Sequence, residues 1–222
     1  MKSWIEDDNI CYDYIIRYLR DVIPQSGGQL AEMESYAKEN SVPISQPESI
    51  RLTEILLKIK NPQSVLEIGS AIGYSAIRMA LSSDAEITTI ELSDEMADIA
   101  EENIKRAGLA NRIRLIRGDA AEVLKKMDGN FDVIFIDAAK GHYMDFFKEC
   151  DRMIAPGGLL ISDNVLYKGM TATDELVVHR KITIVRRLRK YLEMLKGNEN
   201  YATAVVPIGD GVALSVKKAA SD

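Results

Sequence analysis

The sequence predicts an α/β protein whose core is a doubly wound, mostly parallel sheet. From Gln63 onward, short apolar runs typical of strands alternate with helical segments, as in parallel sheets with crossover helices. Residues 1–60, in contrast, contain only helical patterns. Near the carboxyl end, a short Gly-Asp-Gly connection joins two strand-like runs, which indicates an antiparallel hairpin at one edge of the sheet.

The first 60 residues are predicted to form a helical cap. One amphipathic run covers roughly Glu6–Val22, a second covers Leu30–Glu39, and a third begins near Pro47, a residue that suits a first helical turn. No linker-like stretch separates these helices from the strand-helix alternation after them. We therefore expect a single domain over residues 1–222, with 1–60 as the cap and 61–222 as the α/β core.

The predicted strands end in acidic residues. The five parallel strands are Ser64–Ile68, Glu86–Ile90, Arg112–Ile116, Phe131–Ile136 and Gly158–Ser162, and the hairpin strands are Thr203–Val206 and Val212–Val216. At or just beyond the ends of the parallel strands stand Glu67, Glu91, Asp119, Asp137 and Asp163. Helix capping explains one or two such residues but not all five. Because ligands bind at the carboxyl ends of parallel strands, this edge is the predicted site.

A glycine turn follows the first strand and indicates the class of ligand. It contains Glu67, Gly69, Gly73 and Ser75, with the two glycines spaced as GxxxG. This spacing differs from the GxGxxG of dinucleotide sites, and the turn lacks the Gly-Lys-Ser/Thr of a phosphate loop. Its acidic residue would repel a pyrophosphate, but it suits a cationic ligand with an amine and a sulfonium.

The next two strand ends fit the remainder of such a ligand. Glu91 is placed to accept hydrogen bonds from both hydroxyls of a ribose. Asp119 and Ala120 fall where the amino group of an adenine would be recognised.

The fourth and fifth strand ends predict a metal site. Asp137, Asp163 and Asn164 offer only oxygen ligands, which favour Mg²⁺, Mn²⁺ or Ca²⁺ over zinc. The alternative is that the Asp-Asn pair merely begins a turn. Lys140 lies three residues after Asp137, where a cation-bound hydroxyl would allow it to act as a general base.

These motifs resemble the metal-dependent O-methyltransferases, the family that contains the catechol and caffeoyl-CoA methyltransferases. The resemblance rests on ExGxxxGYS at 67–75, IDAAKG at 136–141 and SDNVLYKG at 162–169, and it extends over nearly the whole chain. It implies a Rossmann-like class I methyltransferase fold, S-adenosyl-L-methionine (SAM) as the methyl donor, and a homodimer.

The resemblance also implies roles for individual residues. Lys140 would be the base, and Asp137 would serve both the metal and the cofactor. Ser75 would contact the methionine carboxylate, while Val42 and Ser45 belong to a loop that resembles the family's loop over the cofactor. The implied metal ligands are Asp137, Asp163 and Asn164.

Within this family, the sequence looks most like bacterial tRNA 5-hydroxyuridine methyltransferases, which make 5-methoxyuridine at the wobble position. The signs are AIGYSAIRMA at 71–80, DNVLYKG at 163–169 and the carboxyl-terminal stretch at 207–218. Plant phenylpropanoid enzymes typically have a tryptophan where this chain has Tyr167. The resemblance therefore implies tRNA as a partner.

A cationic segment near the carboxyl end supports an RNA partner independently. No acidic residue interrupts 177–192, and Val185, Leu188, Leu192 and Leu195 form an apolar stripe at helical spacing. The helix would therefore project its cations from the surface as a phosphate-binding face, although a merely solvated face is the alternative. The candidate RNA-binding residues are Arg180, Lys181, Arg186, Arg187, Arg189 and Lys190.

Other acceptors and other functions stay open on the sequence alone. A small catechol-like or phenolic molecule presents the same pair of oxygens as 5-hydroxyuracil and would fit the same residues. A cofactor-binding protein without catalysis is a third possibility, which the complete set of Asp137, Asp163, Asn164 and Lys140 argues against.

Composition excludes several other classes of protein. The net charge of −6 argues against indiscriminate binding of polyanions. No stretch has the length and apolarity of a membrane span, and the amino terminus lacks the pattern of a signal peptide. Cys11 and Cys150 are far apart and match no zinc or disulfide pattern. We therefore expect a cytoplasmic protein without membrane contact.

Overall fold

The structure is a computed structural model that describes residues 10–219. Its helices are α1 (Asp13–Val22), α2 (Gly28–Glu39), α3 (Pro47–Lys60), α4 (Tyr74–Ser82), α5 (Asp94–Arg106), α6 (Ala120–Lys126), α7 (Tyr143–Met153) and α8 (Ile182–Gly197). Its strands are β1 (Ser64–Ile68), β2 (Glu86–Glu91), β3 (Ile113–Arg117), β4 (Phe131–Ile136), β5 (Ile154–Ser162), β6 (Tyr201–Val206) and β7 (Val212–Lys217). Short 3-10 turns at Lys140–His142 and His179–Lys181 precede α7 and α8.

The seven strands form one sheet in the order β3-β2-β1-β4-β5-β7-β6. Strands β1 to β5 pair in parallel, β7 pairs antiparallel with β5, and β6 closes the edge antiparallel to β7. The predicted fold class is therefore confirmed. Within residues 10–219, every helix is too short or too polar to cross a lipid bilayer.

Two apolar layers cover the two faces of the sheet. Val65 and Phe135 point into the layer shared with α3, α4 and α5, which includes Leu57. Leu66 and Ile134 point into the opposite layer, shared with α6, α7 and α8. Successive strand residues alternate between the layers because side chains in a strand point to opposite faces.

Helix α8 docks through a face that differs from the predicted stripe by one residue. Val185, Leu188 and Leu195 are buried as expected, but Tyr191 takes the place predicted for Leu192, which is only partly buried. The Tyr191 hydroxyl and Ser162 Oγ form a hydrogen bond of 2.7 Å, so the buried polar atom is satisfied.

Local backbone conformation sets where two helices begin within the described residues. Of the predicted run from Glu6, residues 6–9 lie outside the described part, and Tyr12 is extended, so α1 begins only at Asp13. An acidic first residue suits the positive end of the helix dipole. The helix after the glycine turn begins at Tyr74, because Ala71 (φ 45°) and Gly73 (φ 81°) adopt left-handed conformations in that turn.

Helices α6 and α7 were not predicted from the sequence. The spacing of Tyr143, Phe146, Phe147 and Cys150, all buried, is a helical signal that was available in α7. Strand β5 is longer than predicted because it starts at Ile154, and its pairing with β4 shifts register before Val133.

Buried polar bonds attach the helical cap to α4. Arg78 Nε donates to Glu54 Oε1 of α3 at 2.6 Å, and Arg78 Nη1 donates to the Tyr74 hydroxyl at 2.7 Å. That hydroxyl donates in turn to Glu34 Oε1 of α2 at 2.6 Å. Burial, together with the bond to Glu34, raises the pKa of Tyr74 to about 12. The cap thus contacts the first turn of α4, directly after the glycine turn.

Candidate functional site

The glycine turn between β1 and α4 lies against the end of β4. The Gly69 and Ser70 amides donate to the Ile90 carbonyl at 3.0 and 3.2 Å. Gly69 has φ +98°, and a Cβ atom at this position would lie 2.2 Å from the Asp137 carbonyl oxygen. Only glycine allows this approach, which draws together two of the predicted strand ends.

Glu67 places a buried carboxylate directly before this turn. Its Oε2 accepts a hydrogen bond from Thr89 Oγ1 at 2.5 Å, while Oε1 has no hydrogen-bond partner within residues 10–219. Burial raises the Glu67 pKa to about 7, although the nearby Ser75 and Thr89 hydroxyls oppose the shift. A cationic group at Oε1 would satisfy this oxygen and favour its charged form.

Glu91 and Asp119 already bond to nearby backbone groups. Glu91 Oε2 accepts from the Ala71 amide at 2.7 Å, and its Oε1 accepts from the Ser93 amide at 2.8 Å. Asp119 caps α6, where its Oδ1 accepts from the Ala121 amide at 2.8 Å. Helix capping, the alternative considered for acids at strand ends, therefore applies to Asp119. Each carboxylate oxygen can accept a further bond, which leaves both residues available to a ligand.

Asp137 and Asp163 form a pair of carboxylates at the ends of β4 and β5. Asp163 is buried, and its Oδ1 accepts from the Asn164 amide at 2.7 Å, whereas Oδ2 has no partner within the described residues. Burial raises the Asp163 pKa well above its usual range, and the charge of Asp137 raises it further. Burial also raises the Asp137 pKa, against the lowering effects of the Lys140 charge and the Ser45 hydroxyl.

This pair fits a hard divalent cation, since a cation would satisfy the open oxygen and relieve the repulsion. Asn164, with φ 56°, adds an amide oxygen to the donor set. Among residues 10–219, no group of three or more His, Cys, Asp or Glu side chains is gathered to bind a metal. The predicted metal ligands are the two carboxylates of Asp137 and Asp163 and the amide of Asn164. Because asparagine is not one of those four residue types, this set is not a group of that kind.

Lys140 lies in the 3-10 turn after β4 and faces an aromatic ring. Its Nζ is 6.0 Å from the centroid of the Tyr167 ring, and Lys181 Nζ is 5.9 Å from the same centroid. Lys181, one of the predicted RNA-binding residues, thus lies at the same ring as Lys140, the predicted base. In the sequence, Tyr167 stands out only as a departure from plant enzymes, and its position beside Lys140 could not be predicted.

The loop between α2 and α3 reaches the same edge of the sheet. Val42 and Ser45 are buried, and Ser45 Oγ donates to Asp137 Oδ2 at 3.1 Å. Ser45 of the predicted cofactor loop therefore lies at the candidate site, whereas Val42 packs in the apolar layer that includes Leu57.

Five of the six predicted RNA-binding cations divide into two groups, while the sixth, Lys181, is partly buried beside Tyr167. Arg180, Arg186 and Lys190 are exposed to solvent. Arg187 is also exposed, but its Nη1 donates to the Gly141 carbonyl at 3.0 Å. Arg189 is partly buried and bonds to Met170, Thr171 and Asp174.

Comparisons with known proteins show the family to which the chain belongs. The family model described as O-methyltransferase matches residues 28–218. The catechol O-methyltransferase of Niastella koreensis is 30% identical over 224 residues, which cover 95% of this chain and 100% of that protein. Caffeoyl-CoA O-methyltransferase 5 of Nicotiana tabacum is 30% identical over 228 residues, covering 96% and 92% of the two chains.

A solved structure, the O-methyltransferase from Bacillus cereus in complex with SAH, superimposes with a TM-score of 0.82 at 27% identity. It covers 92% of this chain and 97% of that one. With a family model matched over most of its length, the chain belongs to the O-methyltransferase family.

Proposed function

We propose that this protein transfers the methyl group of SAM to a hydroxyl oxygen, with the help of a divalent cation. The observation that supports this most is the open Oε1 of the buried Glu67, which lies directly before the glycine turn. An ammonium group is the natural partner of such an oxygen. The Bacillus cereus structure, which contains SAH, adds support from a related fold.

The other predicted cofactor residues fit around this anchor. The ammonium would bind Glu67, and the carboxylate of the methionine moiety would bind Ser75. Glu91 would accept the ribose hydroxyls with its remaining lone pairs, and Asp119 with Ala120 would contact the adenine. Val42 and Ser45 would cover the cofactor and exclude water.

Asp137, Asp163 and Asn164 are the residues that would hold the cation. Bound there, Mg²⁺ or a similar ion would lower the pKa of an acceptor hydroxyl and orient it together with a neighbouring oxygen. The open Oδ2 of Asp163 supports this assignment.

Lys140, acting as the neutral amine, would remove the proton from the acceptor hydroxyl. The bond between this oxygen and the methyl carbon then forms as the bond between the methyl carbon and sulfur breaks. Holding donor and acceptor in line supplies much of the rate enhancement. Lys140 lies three residues after Asp137 in the chain, so the proton would be removed beside the carboxylate pair.

We propose 5-hydroxyuridine at the tRNA wobble position as the acceptor. Its hydroxyl stands beside the 4-carbonyl, so the base presents two adjacent oxygens. The exposed Arg180, Arg186 and Lys190 offer positive charge for binding phosphates. A catechol-like phenol is the second candidate, favoured by the name of the Niastella koreensis relative.

Transfer of a labelled methyl group from SAM would distinguish the two acceptors. The assay compares tRNA containing 5-hydroxyuridine with a simple catechol, each with and without Mg²⁺. Labelling that requires Mg²⁺ and occurs on tRNA supports the first acceptor, whereas labelling of catechol alone supports the second. If neither acceptor is labelled, with or without Mg²⁺, although SAM binds, the proposed function is wrong.

A charge-reversal variant tests the RNA surface. Replacing Arg180, Arg186 and Lys190 with glutamate should lower tRNA methylation by at least roughly tenfold, because each cation contributes to phosphate binding. Arg187 and Arg189 are left intact because they bond to the protein itself. The control variant places glutamate at Lys58, Arg114 and Lys126, which are exposed elsewhere, and changes the net charge equally. Equal losses in both variants would contradict a specific RNA surface.

A further inference from the structure

Two chain segments form the acceptor side of the candidate site and meet at Lys140 and Tyr167. The first is the turn after β4, which contains Lys140, and the second follows β5 and contains Tyr167. The Lys140 Nζ lies 6.0 Å from the centroid of the Tyr167 ring. The relative position of these segments therefore determines where Lys140 points.

The second segment has an unfavourable backbone. Asn164, Tyr167 and Lys168 all have positive φ angles, of 56°, 46° and 58°. Such conformations are costly for residues other than glycine and persist only where surrounding contacts impose them. Some of these contacts are local, including the Met170 amide to the Tyr167 carbonyl at 3.1 Å.

Outside the segment, Asp210 accepts hydrogen bonds from the Leu166 and Lys168 amides. Arg189 of α8 supplies further contacts. Its Nε donates to the Thr171 carbonyl at 3.0 Å, and its Nη2 donates to the Met170 carbonyl at 3.0 Å. Its Nη1 pairs with Asp174 Oδ1 at 2.6 Å. Three nitrogens of one planar group thus hold three parts of the same turn, a geometry that a lysine ammonium does not reproduce.

Arg187, two residues earlier on α8, bonds to the other segment. Its Nη1 donates to the Gly141 carbonyl at 3.0 Å, and Gly141 directly follows Lys140. Both arginines project from a helix that is anchored in the core, since Val185, Leu188 and Tyr191 of α8 are buried. One helix therefore contacts both sides of the acceptor region.

We propose that Arg187 and Arg189 are positioning residues that hold Lys140 and Tyr167 in the arrangement needed for methyl transfer. The inference rests on the proposed function, because it takes Lys140 as the base. It also reassigns two residues of the cationic helix from phosphate binding to the geometry of the site. Neither arginine touches the acceptor; each acts through the backbone of a segment.

Amide hydrogen exchange tests the positioning role without any acceptor. In Arg187→Met, exchange should rise at least roughly fivefold in the peptide covering 138–145, since one charge-assisted hydrogen bond is lost. In Arg189→Met, exchange should rise in the peptide covering 165–175, and Arg189→Lys should restore the original slow exchange only in part. Lys196→Met, on the same helix and paired with Glu193, is the control and should change neither peptide. Unchanged exchange in Arg187→Met and Arg189→Met would overturn the proposal.

Turnover separates positioning from RNA binding. With the free nucleoside 5-hydroxyuridine or with catechol, neither of which has a phosphate, kcat of Arg187→Met should fall about tenfold because the base is misplaced. The KM for SAM should stay within about twofold, since the cofactor residues are untouched. A loss confined to tRNA would mean that Arg187 binds phosphate and would overturn its positioning role. If the unchanged protein methylates no acceptor, the proposed function fails, and hydrogen exchange alone decides whether the arginines hold the two segments.

Discussion

The Ser45 hydroxyl donates a hydrogen bond to Asp137 Oδ2 at 3.1 Å, although the two residues lie 92 positions apart in the chain. Ser45 belongs to the loop between α2 and α3, whereas Asp137 follows β4. The bond therefore joins the helical cap to the carboxyl edge of the sheet. Because Asp137 is also a candidate ligand for both cation and cofactor, the cap takes part in the site rather than merely covering the core.

Replacing Ser45 with alanine should weaken SAM binding by roughly fivefold, the loss expected for one hydrogen bond that helps to hold the loop. Isothermal titration calorimetry with SAM measures the change directly. Ser82→Ala is a suitable control, since the Ser82 hydroxyl bonds to the Met79 carbonyl within α4. Equal SAM affinities in the two variants would show that the bond between Ser45 and Asp137 does not support cofactor binding.

Replacing Gly69 with alanine should destabilise the protein by at least about 3 kcal/mol, the range of severe single substitutions. The new Cβ would lie 2.2 Å from the Asp137 carbonyl oxygen, and φ at this position is +98°. Gly108→Ala is a matched control because Gly108 also has a positive φ, +70°, but has open space around it. It should cost only about 1 kcal/mol, the usual penalty of the left-handed conformation. Urea denaturation compares the two, and similar losses would contradict the steric argument.

The sequence predicted the strands well because their signals are local. Buried runs such as Phe131–Ile136 and the acidic residues that follow them can be read without tertiary information. The same runs predicted that Glu67, Asp137 and Asp163 would meet, since parallel strands bring their carboxyl ends to one edge.

The features that could not be predicted depend on contacts between distant parts of the chain. The sequence of α8 shows a set of cations, but the partners of Arg187 and Arg189 lie in segments 15 to 46 residues away. Periodicity also predicted that Leu192, rather than Tyr191, packs against the core. Burial of Tyr191 depends on a hydrogen-bond partner for its hydroxyl, and that partner, Ser162, lies 29 residues away in the chain.

Glu67 should make the stability of the ligand-free protein depend on pH. Its pKa is raised from 4.5 to about 7 in the folded state, so the unfolded chain loses this proton first as pH rises. Stability contributed by Glu67 is therefore complete below about pH 4.5 and is lost as the pH rises through 7. The shift corresponds to about 3 kcal/mol, as an order of magnitude.

The variant Glu67→Gln removes this titration. The free energy of unfolding of the variant minus that of the unchanged protein should therefore increase by about 2 kcal/mol or more between pH 5 and pH 8. Chemical denaturation at several pH values measures this difference. Parallel pH profiles for the two proteins would contradict a raised pKa at Glu67.

Replacing Asp163 with asparagine should have opposite effects with and without a cation. Burial and the charge of Asp137 raise the Asp163 pKa, so ionisation of this carboxyl opposes folding at neutral pH when no cation is bound. In EDTA at pH 8, Asp163→Asn should therefore melt at a higher temperature than the unchanged protein.

Adding Mg²⁺ should raise the melting temperature of the unchanged protein, because ligand binding stabilises the folded state, but it should barely affect the variant. Asp84→Asn, a change at an exposed carboxylate, should keep the full response to Mg²⁺. An equal response in all three proteins would place the cation away from Asp163, and the metal site would then have to be sought among other residues.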